Sequence, residues 1–152
     1  MPSERTLILV KPDGVQRGLI GPIIGRFERS GLKIIGLKIM QMDEETAGRH
    51  YAEHVDRQFF SGLIEFITSG PIVAMCVSGP NAIAHCRRLM GATNPQDAAP
   101  GTIRGDYATD IGRNITHGSA NEEDAAREVS LFFDESELLS YHRATGPWII
   151  EP

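Results

Sequence analysis

Apolar residues in this chain fall into short blocks with two kinds of spacing, one suited to strands and one to helices. Thr6-Leu7-Ile8-Leu9-Val10 is an unbroken apolar block. It predicts a buried strand over Arg5 to Lys11, closed by Pro12-Asp13-Gly14 as a turn. Gly21-Pro22 predicts a helix start with proline at its first position; Ile23, Ile24 and Phe27 supply the apolar face, and Ser30-Gly31 ends it. Leu32 to Met42 alternates imperfectly and is heavy in isoleucine, which predicts a second strand. Asp43 is placed to cap a helix running through Tyr51 and His54, and a second short helix begins near Phe60 and stops at Ser69-Gly70-Pro71. Ile72 to Val77 predicts a third strand, Asn81 to Met90 a helix, and Arg113 to His117 a fourth strand. Asn121 then caps a last helix with Ala125, Val129 and Phe132 or Phe133 on one face.

Strands and helices thus alternate as a doubled βαβ. That order predicts an α/β (α+β) architecture, a ferredoxin-like βαββαβ sandwich with helices packed on a four-stranded antiparallel sheet. Gly91 to Gly112 lacks hydrophobic periodicity, and an ordered connection of that length tends to be functional. The end of the chain, to Trp148-Ile149-Ile150, is expected to pack on the body or on a neighbouring subunit.

At 152 residues the chain is expected to be a single domain, 1–152, with a core that needs neither disulfides nor metal. No apolar run approaches the ~20 residues that span a bilayer, and no signal peptide is expected at Met1 to Val10, so no membrane association is expected. Two cysteines, Cys76 in an apolar stretch and Cys86 in a helix, suit buried thiols in a reducing, cytoplasmic setting. A net charge of -5 argues against broad nucleic-acid binding. It leaves room for a local pocket in which Lys11, Arg87, Arg104 and Arg113 surround a small polyanion.

Asn114-Ile115-Thr116-His117-Gly118-Ser119 ends a strand at a histidine beside a glycine, an arrangement that can present a neutral imidazole to an open space. Most such histidines are structural. No Gly-rich Walker loop and no Gly-x-Gly-x-x-Gly after a strand is present, so side chains would have to hold any phosphates. Lys11 ends the first strand and either snorkels to the surface or joins His117 at one rim of the sheet. His50-Tyr51-Ala52-Glu53-His54 matches the zinc-peptidase pattern H-x-x-E-H, but no third ligand accompanies it. An amphipathic helix with exposed histidines is the plainer reading. Of Phe59 and Phe60, one ring is free to stack a base while the other packs.

Four segments, Lys11-Pro12-Asp13-Gly14-Val15-Gln16-Arg17-Gly18, Gly91-Ala92-Thr93-Asn94-Pro95, Pro100-Gly101-Thr102-Ile103-Arg104-Gly105-Asp106 and Asn114 to Ser119, together closely resemble the nucleoside diphosphate kinase family, over essentially the whole chain. The resemblance implies the ferredoxin-like sandwich. It also implies a ping-pong reaction in which ATP phosphorylates His117 and a nucleoside diphosphate then collects the phosphoryl group. By the same resemblance Lys11 and Tyr51 contact the moving phosphoryl group, and Arg87, Thr93 and Arg104 hold the phosphates. Magnesium bridges those phosphates without protein ligands of its own. Asn114 and Lys11 bond the sugar hydroxyl, Phe59 and Ile111 sandwich the base, Glu128 orients the imidazole, and Ser119 supports that network.

Two departures stand out. Ala120 occupies a position where the family commonly has aspartate, and Gln58 one where many members have proline. The family assembles as hexamers or tetramers, and Trp148-Ile149-Ile150-Glu151 resembles the ending of hexameric members, so a homohexamer is expected. In some of those the terminal glutamate reaches a neighbour's nucleotide site, which makes Glu151 a further expectation. Neither a membrane nor a nucleic acid is required.

Overall fold

The computed structural model describes residues 3–152; Met1 and Pro2, where the signal-peptide expectation begins, lie outside the described residues. Strands β1 (Ser3–Val10), β2 (Lys33–Met40), β3 (Ile72–Pro80) and β4 (Thr116–Gly118) form one sheet in the order β2-β3-β1-β4. Every neighbouring pair is antiparallel. Helices α1 (Pro12–Gln16), α2 (Ile20–Arg29), α3 (Glu44–His50), α4 (Phe60–Ile67), α5 (Ala82–Met90), α6 (Ile103–Tyr107) and α7 (Glu122–Phe132) pack around it. This is the ferredoxin-like α+β sandwich expected from the order of elements.

The apolar blocks are unbroken in the two central strands because both faces of the sheet are covered. Ile8, Val10, Val73, Met75 and Val77 meet α2 and α5 through Ile23, Phe27 and Cys86. Leu7, Leu9, Ala74 and Cys76 point the other way, against Ala47, Ile67, Val129 and Phe132 of α3, α4 and α7. Cys76 and Cys86 are buried and free, one on each face. No helix among the described residues is long and apolar enough to cross a membrane.

Several boundaries differ from the sequence reading. β1 stops at Val10, and Lys11 is the extended N-cap of a short helix whose first residue is Pro12, so Pro12-Asp13-Gly14 is helical rather than a turn. The helix form is favoured because an N1 proline lacks only an N–H that would have no partner there. α2 begins at Ile20, one residue before Gly21, which puts Pro22 third in a first turn that tolerates it for the same reason. The long segment 91–112 holds a single 3-10 turn, Pro95–Asp97, and α6, and runs into a second such turn, Ile111–Arg113. Asn94 and Thr102 cap the first of those turns and α6 through their side chains, a local signal that apolar periodicity misses. Asp43 and Asn121 cap α3 and α7 as expected. The C-terminal segment lies along β2, with Leu139 N–H donating to Ile35 C=O and Arg143 to the carbonyls of Gly31 and Leu32. Trp148, however, is 90% exposed.

Candidate active site

β4 begins three residues later than its sequence suggests, because the chain makes a tight reversal first. Ile115 has φ +76, a conformation a β-branched residue rarely adopts, and Thr116 N–H donates to Asn114 C=O across it at 2.8 Å. The neighbouring chain holds this γ-turn in place. Asp13 Oδ2 accepts from Ile115 N–H at 3.0 Å, and Ile115 C=O accepts from Lys11 N–H at 2.8 Å. Gly14 lets α1 approach, since a Cβ there would lie 2.7 Å from Val10 Cγ1 and 3.1 Å from Ile115 Cγ2. Backbone strain of this kind costs about 1–3 kcal/mol and persists only where its surroundings over-determine it. Its effect here is to bring Lys11 and Asn114 together and to aim the residues that follow.

His117 is the middle residue of β4, opposite Leu9, rather than its last residue. Its Nε2 lies 2.8 Å from Glu128 Oε1, and Ser119 Oγ donates to the same oxygen at 2.9 Å. Burial pushes the Glu128 carboxyl up, but the hydrogen bond and charge of His117, with help from Ser119, outweigh it and hold the group below the ordinary glutamate range. Glu128 is therefore an anion that can only accept, so when the His117 ring carries a single proton that proton sits on Nε2. Nδ1 is left with the lone pair. Ser119 is itself fixed by accepting from Leu7 N–H at 3.3 Å, so α7, β4 and β1 jointly set the ring.

His117 opens into a cleft of about 340 Å³ whose walls include Lys11, Tyr51, Arg87, Thr93, Arg104, Asn114 and Glu128. Lys11 Nζ donates to Asn114 Oδ1 at 2.8 Å, and Asn114 Nδ2 donates to Thr93 C=O at 2.9 Å. Burial and the neighbouring Arg104 lower the Lys11 pKa to about 8. Arg104 is buried and spends three donor atoms on the carbonyls of Gly91, Asn114 and Thr116, leaving two of its five N–H groups for a ligand. Burial and Arg87 bring its pKa down to about 10. Arg87 donates to Gly118 C=O at 3.1 Å. Burial, with Glu128 nearby, pushes the Tyr51 hydroxyl up to about 12, so it stays a neutral donor. Two desolvated cations, Lys11 and Arg104, with the exposed Arg87 beside them, surround one imidazole and form a receptacle for a compact polyanion.

The cleft with His117 is distinguished by its charges rather than its size. A cavity of about 390 Å³ beside the start of β1 includes Glu4, Arg5, Asn81 and Glu122. There Glu4 caps Ile83 N–H and Arg5 pairs with Glu135, so neither is free to hold a ligand.

Phe59 and Ile111 stand apart from the rest, 51% and 54% exposed and outside the walls of the cleft. The Phe59 ring centroid is 5.4 Å from that of His54, which does line it. Arg113 is not part of the cationic set; its guanidinium lies 4.1 Å from the Phe66 ring. His50 and His54 do not share a helix, since α3 ends at His50 and His54 follows in a 3-10 turn. Nor is His50 exposed, as the amphipathic reading held: it is 3% accessible, its ring 4.6 Å from that of His117 and edge-on to it. Burial, then repulsion from His117, lowers its pKa to about 3. Glu53 and Asp124 also reach the cleft, and apolar patterning offered no reason to select either.

Two donor sets in the cleft differ in chemistry. Glu53 and Asp124 offer carboxylate oxygens beside the cations, which suits a hard ion such as magnesium that keeps its waters and binds chiefly to phosphate. His50, His117 and Glu128 offer two nitrogens and one oxygen, all within 4.8 Å of one another, and do not suit magnesium.

The nucleoside diphosphate kinase family model matches residues 4–138. A nucleoside diphosphate kinase of Carboxydothermus hydrogenoformans is 60% identical over 148 residues, covering 97% of this chain and 99% of that protein. One from Thermus thermophilus is 60% identical over 136 residues, covering 90% and 99% respectively. Among solved structures, the Halobacterium salinarum halophilic nucleoside diphosphate kinase in complex with CDP superimposes with a TM-score of 0.95 at 55% identity, covering 99% of this chain and all (100%) of that one.

Proposed function

The chain belongs to the nucleoside diphosphate kinase family and is a phosphotransferase that acts on nucleotides, and from that premise we propose that His117 carries the phosphoryl group between them. The observation that carries this reading is the Glu128 carboxylate on Nε2, which leaves Nδ1 as the nucleophile. In the first half-reaction Nδ1 bonds to the terminal phosphorus of ATP as the bond to the bridging oxygen breaks, and the diphosphate leaves with that oxygen. In the second, a nucleoside diphosphate oxygen attacks the same phosphorus and the bond to Nδ1 breaks. One cleft serves both nucleotides in turn, which is ping-pong logic.

The roles of the other residues follow from their chemistry. Arg87, Arg104 and Thr93 hold phosphates; Lys11 and Tyr51 donate to the transferring oxygens; Asn114, bonded to Lys11, is placed to meet the sugar. Such a transfer asks mainly for positioning and charge stabilisation. Enzymes of this kind generally use a divalent metal. Magnesium is the proposed ion, held by nucleotide phosphates with Glu53 and Asp124 at hand for its waters. It would supply charge neutralisation between phosphates. Phe59, beside His54 of the cleft wall, and the exposed Ile111 are proposed to stack the base. Tolerance for different bases then follows, because stacking reads a face and not an edge.

Residues 1–152 are read as one kinase domain working in the cytoplasm, a reading supported by two free buried thiols. Exposed Leu37 and Ile39 on the β2 edge strand and exposed Trp148 support a homo-oligomer, for which a hexamer is proposed.

The test is to incubate the protein with magnesium and ATP labelled on its terminal phosphate. Acid-labile, base-stable label should appear and be removed by ADP or GDP. His117→Ala should abolish it, and undiminished labelling in that variant would sink the mechanism.

A further inference from the structure

The histidine that suggested zinc in the sequence does meet metal-ligating partners, but on β4 and α7 instead of along its own helix. We propose that His50, His117 and Glu128 form an inhibitory site for a borderline transition-metal ion such as Zn²⁺, which switches the enzyme off by taking its nucleophile. The inhibition rests on His117 being that nucleophile; the site itself does not.

Two independent observations carry this. The first is the donor set: one ligand atom from each residue, all within 4.8 Å of one another, in the two-histidine, one-glutamate combination that binds zinc with a fourth position open. Tetrahedral bonds of about 2.1 Å need ligand atoms roughly 3.4 Å apart, so a closure of at most about 1.4 Å completes the site. The second is His50 itself. It is 3% exposed, and neither ring nitrogen has a hydrogen-bond partner. A buried polar group left without a partner costs about 1–3 kcal/mol, and the transfer described above makes no use of it. Packing explains the ring, which stands edge-on to His117 and Phe132, but not the choice of an imidazole over a phenyl.

The consequences are opposite to those of magnesium. A zinc ion here would hold both the His117 imidazole and the Glu128 carboxylate that orients it; bound through Nδ1 it occupies the nucleophile, and bound through Nε2 it leaves the ring's proton on Nδ1, so in either case ATP would meet no free lone pair. Ser119, already bonded to Glu128, supplies outer support of the kind metal sites use.

Titration calorimetry with ZnCl₂ on the whole unphosphorylated protein should show one ion bound per chain. His50→Phe, which keeps the ring stack and removes the donors, should weaken binding at least ~10-fold, the lower end of what losing even an outer partner costs. Glu128→Gln should do the same independently, and His54→Gln should not. Zinc should block labelling by ATP, and a zinc-selective chelator followed by magnesium should restore it. No binding, binding unmoved by His50→Phe and Glu128→Gln, or binding lost in His54→Gln would overturn the site. Zinc binding with no label on His117 in zinc-free controls that contain magnesium would overturn the proposed phosphorelay and leave the site standing. Label with no zinc binding would do the reverse.

Discussion

Glu128→Gln isolates the charge behind the nucleophile from its shape. A carboxamide fills the same space and its oxygen can still accept from His117 Nε2 and Ser119 Oγ, which now lie 2.8 Å and 2.9 Å from the carboxylate oxygen. What disappears is the negative charge facing a ring that turns cationic as Nδ1 bonds to phosphorus. Two unit charges about 4 Å apart at an effective dielectric of ~20 interact by about 4 kcal/mol. A loose transition state develops only part of that charge, so a loss of about 2 kcal/mol is expected, or ~30-fold in rate. Quenched-flow measurement of phosphohistidine formation from ATP reads this directly, and chemical denaturation checks the fold. A rate within twofold of the parent, with stability unchanged, would refute the electrostatic role of Glu128. Stability has its own signature. Because the folded pKa of Glu128 is depressed, its contribution is complete above the ordinary glutamate range and is lost as pH falls through the folded value. The stability gap between parent and variant should therefore narrow in acid.

Other outcomes follow from the same geometry. Lys11, lowered from 10.5 to about 8, should lose its charge in the free enzyme as pH rises through that value, giving kcat/KM a basic limb near pH 8 that Lys11→Arg removes. In folding, the charged form of Lys11 costs stability below about 8, and the cost is relieved between there and 10.5; Lys11→Met should abolish that rise in Tm with pH. Gly14→Ala forces a Cβ to within 2.7 Å of Val10 and 3.1 Å of Ile115, and should cost about 1–3 kcal/mol in denaturation while slowing phosphorylation by moving the γ-turn. Ser119→Ala leaves the buried Leu7 N–H unpaired and removes one donor from Glu128. It should destabilise by about 1–3 kcal/mol and slow labelling severalfold.

Much of the fold was legible because its signals are local. The continuous blocks at Leu7 to Val10 and Ile72 to Val77 became the two central strands, and the caps Asp43 and Asn121 stand where their spacing put them. The boundaries around Lys11 and Arg113 were not, since both depend on a hydrogen bond between segments about a hundred residues apart. For the candidate site, separate motifs pointed to Lys11, Arg104, Asn114 and His117, and the family resemblance added Arg87; these residues line one cleft. His50 was misjudged as exposed because its helix pattern carries no information about α7 and β4, which bury it.

By itself the sequence determined which stretches are apolar enough to be covered on both faces, where helices start, and which residue types are available for phosphate chemistry. Each of those follows from composition and spacing along a few turns of chain. Only the tertiary structure decided that Glu128 takes Nε2 of His117, that Ile115 is held in a strained turn by Asp13, and that His50 ends buried beside the nucleophile. Those are contacts between elements, created when the sheet brings distant segments together, and no local pattern specifies them.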